Sequence, residues 1–253
     1  MKKFGLQLYT VRDFMKTEED IKATFEKIKN MGYDQVQTAG CAIPYEKFGQ
    51  LAKEAGLEII GTHDNFQKMY EDPELAVENH RFLGTTNAGI GGLWPNSVAE
   101  FEEFIKNANT FAKEISKQGM KFTYHNHSHE FIKQENGKTF MDMLVEGLDK
   151  ENSSFVLDTY WVQHGGGDVR YWIEKLAGRV DILHLKDMKR IDGNDNVQQI
   201  TEIGNGNLYW EGILETAEKC GVKYYIVEQD INWTPDCFTS AKFSIDYLRS
   251  LGF

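Results

Sequence analysis

The feature that most constrains this chain is an alternation repeated eight times: a short run of β-branched and aromatic residues, then a longer stretch of helical period. The runs are Phe4–Tyr9, Gln35–Thr38, Glu58–Thr62, Thr86–Ile90, Lys121–His125, Ser154–Asp158, Asp181–Leu185 and Tyr224–Glu228. Parallel strands need a crossover of a dozen or more residues, and a helix of this length supplies it. Eight such units are expected to close into an α/β fold, the (β/α)8 TIM barrel. The 253 residues match the roughly 250 of one such barrel, so residues 1–253 are expected to form a single domain.

Between the first two runs, Ile21, Phe25, Ile28 and Lys29 fall on one helical stripe. Thr17 with Asp20 forms a capping pair and Gly32 supplies the stop. Gly56, Gly84, Gly119, Gly178 and Gly221 recur just before later strands, where they turn the chain and carry no chemistry. With four prolines and no Pro/Ser-rich linker, nothing marks a second domain. The longest irregular stretch, Met188 to Leu208, contains Asp192-Gly193-Asn194-Asp195-Asn196 and Gly204-Asn205-Gly206-Asn207. Following the seventh strand, it is expected on the C-terminal face, placed to fold over a bound ligand.

The formal charge of −11 repels phosphate backbones and anionic membrane surfaces, and no P-loop ending in Gly-Lys-Ser/Thr is present. A small ligand without strong negative charge is expected, with neither nucleic acid nor membrane as partner; a homo-oligomer is left open. Cys41, Cys220 and Cys237 are an odd, widely spaced set without a C-x-x-C pair, which fits a reducing cytoplasm rather than a disulfide framework. The N-terminus runs into Arg12 and Asp13 without an apolar signal core, and no stretch reaches the roughly 18 apolar residues of a membrane span. The chain is expected to be soluble, cytoplasmic and unprocessed.

In a barrel of this kind the C-terminal strand ends face the active site, so polar residues there act together despite their separation. The fifth strand ends Tyr124-His125-Asn126-His127-Ser128-His129-Glu130, and the sixth ends Leu157-Asp158-Thr159-Tyr160-Trp161. The seventh ends His184-Leu185-Lys186-Asp187, and the eighth Val227-Glu228-Gln229-Asp230. Four successive ends thus deliver His, Asp, His and Glu. This mixture suits one divalent ion, Mn, Zn, Mg or Fe, in a catalytic rather than structural site. Asp158 alone reads as readily as a helix N-cap, whereas Glu228, after the apolar run Tyr225-Ile226-Val227, calls for a cation beside it. Alternation places His127 on the side of His125, and Lys186 on that of His184, each higher in the mouth. Lys186 has two readings, a stabiliser of developing negative charge or a surface ion-pair partner of Asp187.

Further motifs are Gly5-Leu6-Gln7-Leu8-Tyr9-Thr10-Val11-Arg12, Gly61-Thr62-His63-Asp64 and Gly166-Gly167-Asp168. Together with the four strand ends, they resemble the xylose-isomerase-like sugar (phosphate) isomerase/epimerase barrels along essentially the whole chain. The resemblance implies a metal-dependent enzyme of carbohydrate metabolism, its ion held by Glu, Asp, His and Glu from the fifth to eighth strands. Asp158, His184 and Glu228 match in type and place. His125 stands where the first Glu usually lies, so either His125 completes the shell or Glu130 reaches back from the following loop. With His127 or Glu130 as acid/base, proton abstraction next to a metal-polarised carbonyl leads to isomerisation or epimerisation. The rival reading is a lyase or hydratase acting on keto sugars, inosose or 3-keto glycosides. Gln7, His63, Trp94 and Trp161 are expected to line the mouth, the tryptophans stacking on a sugar ring. A non-catalytic sugar-binding barrel is a further reading; a DNA-repair phosphodiesterase is disfavoured by the charge.

Overall fold

The computed structural model describes residues 2–191 and 197–253, so the run Asp192-Gly193-Asn194-Asp195-Asn196 lies outside the described residues. Eight parallel strands form one sheet: β1 (Gly5–Gln7), β2 (Gln35–Gln37), β3 (Glu58–Gly61), β4 (Asn87–Ile90), β5 (Lys121–His125), β6 (Ser153–Asp158), β7 (Val180–Leu185) and β8 (Tyr224–Val227). Their order is β3-β2-β1-β8-β7-β6-β5-β4. The two end strands meet, because Thr62 N donates to Asn87 O at 3.2 Å and Asp64 N to Gly89 O at 2.8 Å. The sheet is thereby closed into the expected barrel.

Outside it run α1 (Glu18–Met31), α2 (Tyr45–Glu54), α3 (Phe66–Glu71), α4 (Pro73–Leu83), α5 (Val98–Ser116), α6 (Phe140–Gly147), α7 (Thr159–His164), α8 (Val169–Lys175), α9 (Trp210–Lys219) and α10 (Cys237–Ser250). In α1 the Thr17–Asp20 capping box is formed in both directions and Gly32 ends the helix at φ 103°. Ile21, Phe25 and Ile28 are buried, while Lys29 leaves the stripe's edge to pair with Asp34 at 2.8 Å. The other five stop glycines adopt φ from 72° to 79°, the left-handed turn that side chains resist.

Outward-facing strand residues such as Leu6, Val36, Phe122 and Tyr225 pack under the helices. Ile60, Val156, Ile182 and Ile226 make a separate apolar plug inside the barrel, and each such burial contributes roughly 1.5–3 kcal/mol. Missing side chains give the plug room: a Cβ on Gly5 would lie 2.4 Å from Ile226 Cδ1, and one on Gly61 3.0 Å from Ile182 Cδ1. Polar side chains above the plug are shut off from below and face only the mouth.

Most strands differ from expectation by a single residue at one end, and two readings change more. β1 ends at Gln7 rather than Tyr9, because Gln7 Oε1 accepts from Tyr9 N and starts a 3-10 turn over Leu8–Phe14. The stretch from Met188 to Leu208 is only partly irregular, since Asp187–Arg190 and Gln198–Thr201 pair as an antiparallel hairpin. Asp187 fixes its base by accepting from Gly204 N at 2.9 Å and Trp210 Nε1 at 2.8 Å. No helix among the described residues is long and apolar enough to cross a membrane.

Candidate metal centre and active site

Strand register brings the expected ligands together, with Asp158 opposite His184 and His184 opposite Ile226 in adjacent strands. His125, Asp158, His184 and Glu228 are all buried, and one donor atom from each lies within 4.8 Å of the others. Asp158 serves twice. One oxygen caps α7 by accepting from Trp161 N at 2.9 Å, and the other faces His125 Nε2 at 3.3 Å. The cap and cluster positions are thus taken by two oxygens of one carboxylate.

The tautomers follow from what lies behind each ring. His125 Nδ1 is 3.1 Å from the carbonyl oxygen of Gly91, which only accepts, so Nδ1 carries the hydrogen and Nε2 faces Asp158. His184 Nε2 likewise donates to Gln37 Oε1, leaving Nδ1 3.0 Å from Glu228 Oε2 and 3.7 Å from Asp158 Oδ2. Burial opposes charge on His184, but Glu228 and Asp158 outweigh it and raise the ring above its ordinary value, so the cluster gathers imidazole nitrogens and carboxylate oxygens on one point. Metal–donor distances of about 2.0–2.2 Å put opposed ligands about 4 Å apart, so the observed spread closes with small movements. The donor set fits a divalent ion, and the backing by Gly91 and Gln37 is the outer shell that orients histidine ligands.

Lys186 is also buried, and Asp187 is not its partner. Its Nζ lies 2.8 Å from Glu228, 3.1 Å from Asp158 and 3.2 Å from Asp230. The surface pair expected with Asp187 is absent, because Asp187 is spent on the hairpin base. Burial opposes charge at Asp158 and Glu228, yet Lys186 and the imidazoles outweigh it and hold both carboxyls well below the usual range. Burial would likewise lower Lys186, but its three carboxylates keep it above its ordinary value.

Above the cluster is a cavity of about 430 Å³ whose lining includes Tyr9, His63, Trp94, His127, Lys186 and Asp230. His127 sits between Trp94 and Trp161, with ring centroids 4.9 and 5.2 Å away, and its buried Nδ1 has no partner among the described residues. Burial, aided by His125 and Lys186, brings His127 down to about 2, so its ring is neutral. His63 is packed against His125 and His184 at 5.0 and 5.4 Å. Gln7 stands behind it, fully buried, with Nε2 3.3 Å from His63 Nδ1; it positions that ring and does not reach the cavity. Trp161 borders the site through His127 and Lys186, and its buried Nε1 is also unpartnered.

Glu130 is not brought to the cluster. A 3-10 turn over His129–Phe131 curls it beneath the strand end, where it accepts from Tyr124 OH and from His127 N, both at 2.8 Å. Both oxygens are occupied there, and burial raises its carboxyl above the usual value. Two site residues were missed in the sequence, Gln37 and Asp230. The Gln35-x-Gln37 alternation in β2 and the two-residue step from Glu228 to Asp230 were the available signals. Arg12, in the first motif, ties the barrel's first and last ends by donating to Tyr9 O and Asp230 O.

Known proteins show the same architecture. An inosose dehydratase of Mesomycoplasma hyopneumoniae is 30% identical over 117 residues, 46% of this chain and 36% of that protein. The chain therefore matches little more than a third of that relative's length. A sugar phosphate isomerase/epimerase from Parabacteroides distasonis superposes with a TM-score of 0.82 at 24% identity, covering 98% of both chains. The probable 3-DHS dehydratase AsbF of Bacillus anthracis gives 0.73 at 14% identity, over 98% of this chain and 99% of its own. These likenesses in structure establish the fold alone. The model of one family, described as xylose isomerase-like TIM barrel, matches residues 25–251, and the chain belongs to that family.

Proposed function

We propose that the chain is a divalent-metal-dependent lyase that removes a proton beside a carbonyl of a small polyhydroxylated carbohydrate and then expels a β-hydroxyl as water. The observation that supports the metal is the convergence of two imidazole nitrogens and two carboxylates on one buried point. A bound divalent ion supplies Lewis-acid polarisation of the carbonyl, which acidifies the neighbouring C–H. His127 is the base: its ring is neutral and lines the cavity, its Nδ1 is buried against Gly92, which leaves Nε2 to face a substrate, and the flanking tryptophans hold a sugar ring's apolar face. A base so weakened by burial acts only on a strongly acidified C–H. Lys186, kept protonated by three carboxylates, stabilises the enolate charge. The C–H pair becomes the new double bond, the β C–O bond breaks, and the leaving oxygen takes its proton from the Lys186–Asp230 pair.

Elimination is favoured over epimerisation by the fate of Glu130, whose two oxygens are engaged away from the cavity. Glu130 is thereby unavailable to return a proton, and Asp230, the carboxylate that lines the cavity, is paired with Lys186. The inosose dehydratase relative points the same way. Isomerisation through the same enolate is the second reading, supported by likeness to the Parabacteroides isomerase/epimerase. Incubating the Mn²⁺-loaded chain in D2O with a ketose, an inosose and a 3-keto glycoside separates them. Elimination expels water from the ketose or the inosose, or the alcohol at C1 of the 3-keto glycoside, and leaves an unsaturated product, whereas isomerisation gives a deuterium-labelled isomer of otherwise unchanged composition. Turnover of none of the three overturns both.

A further inference from the structure

The run His125-Asn126-His127-Ser128-His129 puts its first histidine in the cluster and its second in the cavity wall, while the third lies outside both. His129 faces the loop after β4 instead. Its Nε2 lies 2.8 Å from the carbonyl oxygen of Leu93 and 3.4 Å from Glu130 Oε1, both of them acceptors, so Nε2 carries the hydrogen and donates to the nearer one. This pins the β4 loop to the β5 loop at a second point, the first being the bond from His125 Nδ1 to Gly91 O.

The pinned loop, Gly91-Gly92-Leu93-Trp94, ends on a tryptophan that is 64% exposed, so little of its surface is packed against the barrel. Its placement depends on the few contacts it has. The Trp94 ring stacks on His129, with centroids 5.3 Å apart and planes 29° from parallel, and leans on His127 at 4.9 Å and 51°. Gly92 makes room for this: at φ 131° it takes a conformation side chains resist, and a Cβ there would lie 2.9 Å from His127 Cε1 and 3.2 Å from Trp94 Cη2. Room is not restraint, because a glycine backbone admits other positions for the loop.

We infer that His129 is a positioning residue, its hydrogen bond to Leu93 O and its stacked ring holding Trp94 beside His127 at the edge of the cavity. What Trp94 grips rests on the carbohydrate reading above; where it stands does not. The full chain labelled with 5-fluorotryptophan gives one fluorine resonance for each of its five tryptophans, and that of Trp94 is the one lost in Trp94→Phe. In metal-free His129→Ala the Trp94 resonance is expected to move towards the position of the free amino acid and to narrow, while the others hold. His129→Gln, which keeps an N–H for Leu93 O, is expected to place it between the wild type and His129→Ala. Calorimetric affinity of the Zn²⁺-saturated chain for an inosose should fall roughly two- to tenfold in His129→Ala, the worth of one aromatic wall. Thermal unfolding checks that both variants are folded. A Trp94 resonance unmoved in His129→Ala, or inosose binding undiminished in that variant where the wild type binds it, overturns the positioning role. A resonance that moves as expected in a chain that binds no inosose upholds the support of Trp94 and removes inosose from the proposed substrates.

Discussion

The two ends of the barrel are both charged, but they are charged differently. At the N-terminal end, Lys3 reaches Glu58 at 3.3 Å, and Lys223 reaches Asp181 at 3.1 Å. These lysines are largely exposed and screened by water, although Asp181 itself is buried and also faces Lys121 at 3.9 Å. At the C-terminal end, three carboxylates surround one buried ammonium, and two imidazoles turn toward the same oxygens. Burial strengthens every attraction and repulsion there, so an arrangement that does not pair neatly costs stability. The lower end sets its charges against water, whereas the upper end gathers them on one buried point.

The largest contrast is expected from matched carboxylate substitutions. Glu228→Gln should lower Mn²⁺ affinity by more than about a hundredfold and abolish turnover, while Glu58→Gln leaves both within twofold and costs about 0.2–1 kcal/mol. Calorimetric metal titration and urea unfolding read the two effects. Equal behaviour of the pair would erase the distinction between the ends. Next comes Lys186→Met, which leaves the upper carboxylates without their ammonium and should cost roughly 3–5 kcal/mol in metal-free protein. Divalent ion at about a hundred times its Kd should restore about 2.7 kcal/mol of it; a stability independent of metal would contradict that.

Gln37→Ala tests the backing rather than the cluster, and should weaken metal binding roughly 10–100-fold without unfolding the chain. Glu130→Gln should do the reverse: about 1–3 kcal/mol of stability is lost from the Tyr124 and His127 contacts, with metal affinity unchanged. A large fall in affinity would make Glu130 a ligand after all. The smallest effect is at acid pH. Burial raises the Glu202 carboxyl, but hydrogen bonds from Ser240, its own backbone, Asn205 and Thr201 outweigh that and bring it from 4.5 to about 2. Its contribution is present above pH 4.5 and lost as pH falls through 2. Glu202→Gln should flatten that stretch of the stability–pH curve.

The barrel was legible because the hydrophobic period switches between strand and helix eight times and glycines with positive φ stand at the switches. The clustering of the strand-end side chains was legible because strand alternation is local, and one rule places His125, His184, His127 and Lys186. What backs them was not. His184 finds Gln37 across 147 positions of sequence, and only closure of the barrel brings them together. Glu130 was misplaced for a local reason, the 3-10 turn that reverses the chain after His127 and sends the carboxylate under the strand. The hairpin after β7 was read as irregular because its Gly/Asn-rich tip hides the pairing of Asp187–Arg190 with Gln198–Thr201.

The central claim is that two histidines and two carboxylates on four strand ends hold one divalent ion. Mn²⁺ titration of the metal-free chain, followed by electron paramagnetic resonance with nitrogen hyperfine detection, addresses it directly. The account predicts one tightly bound ion per chain, coupled to two imidazole nitrogens, with one coupling lost in His125→Ala and the other in His184→Ala. An ion bound without nitrogen coupling, or no ion bound at all, would contradict it.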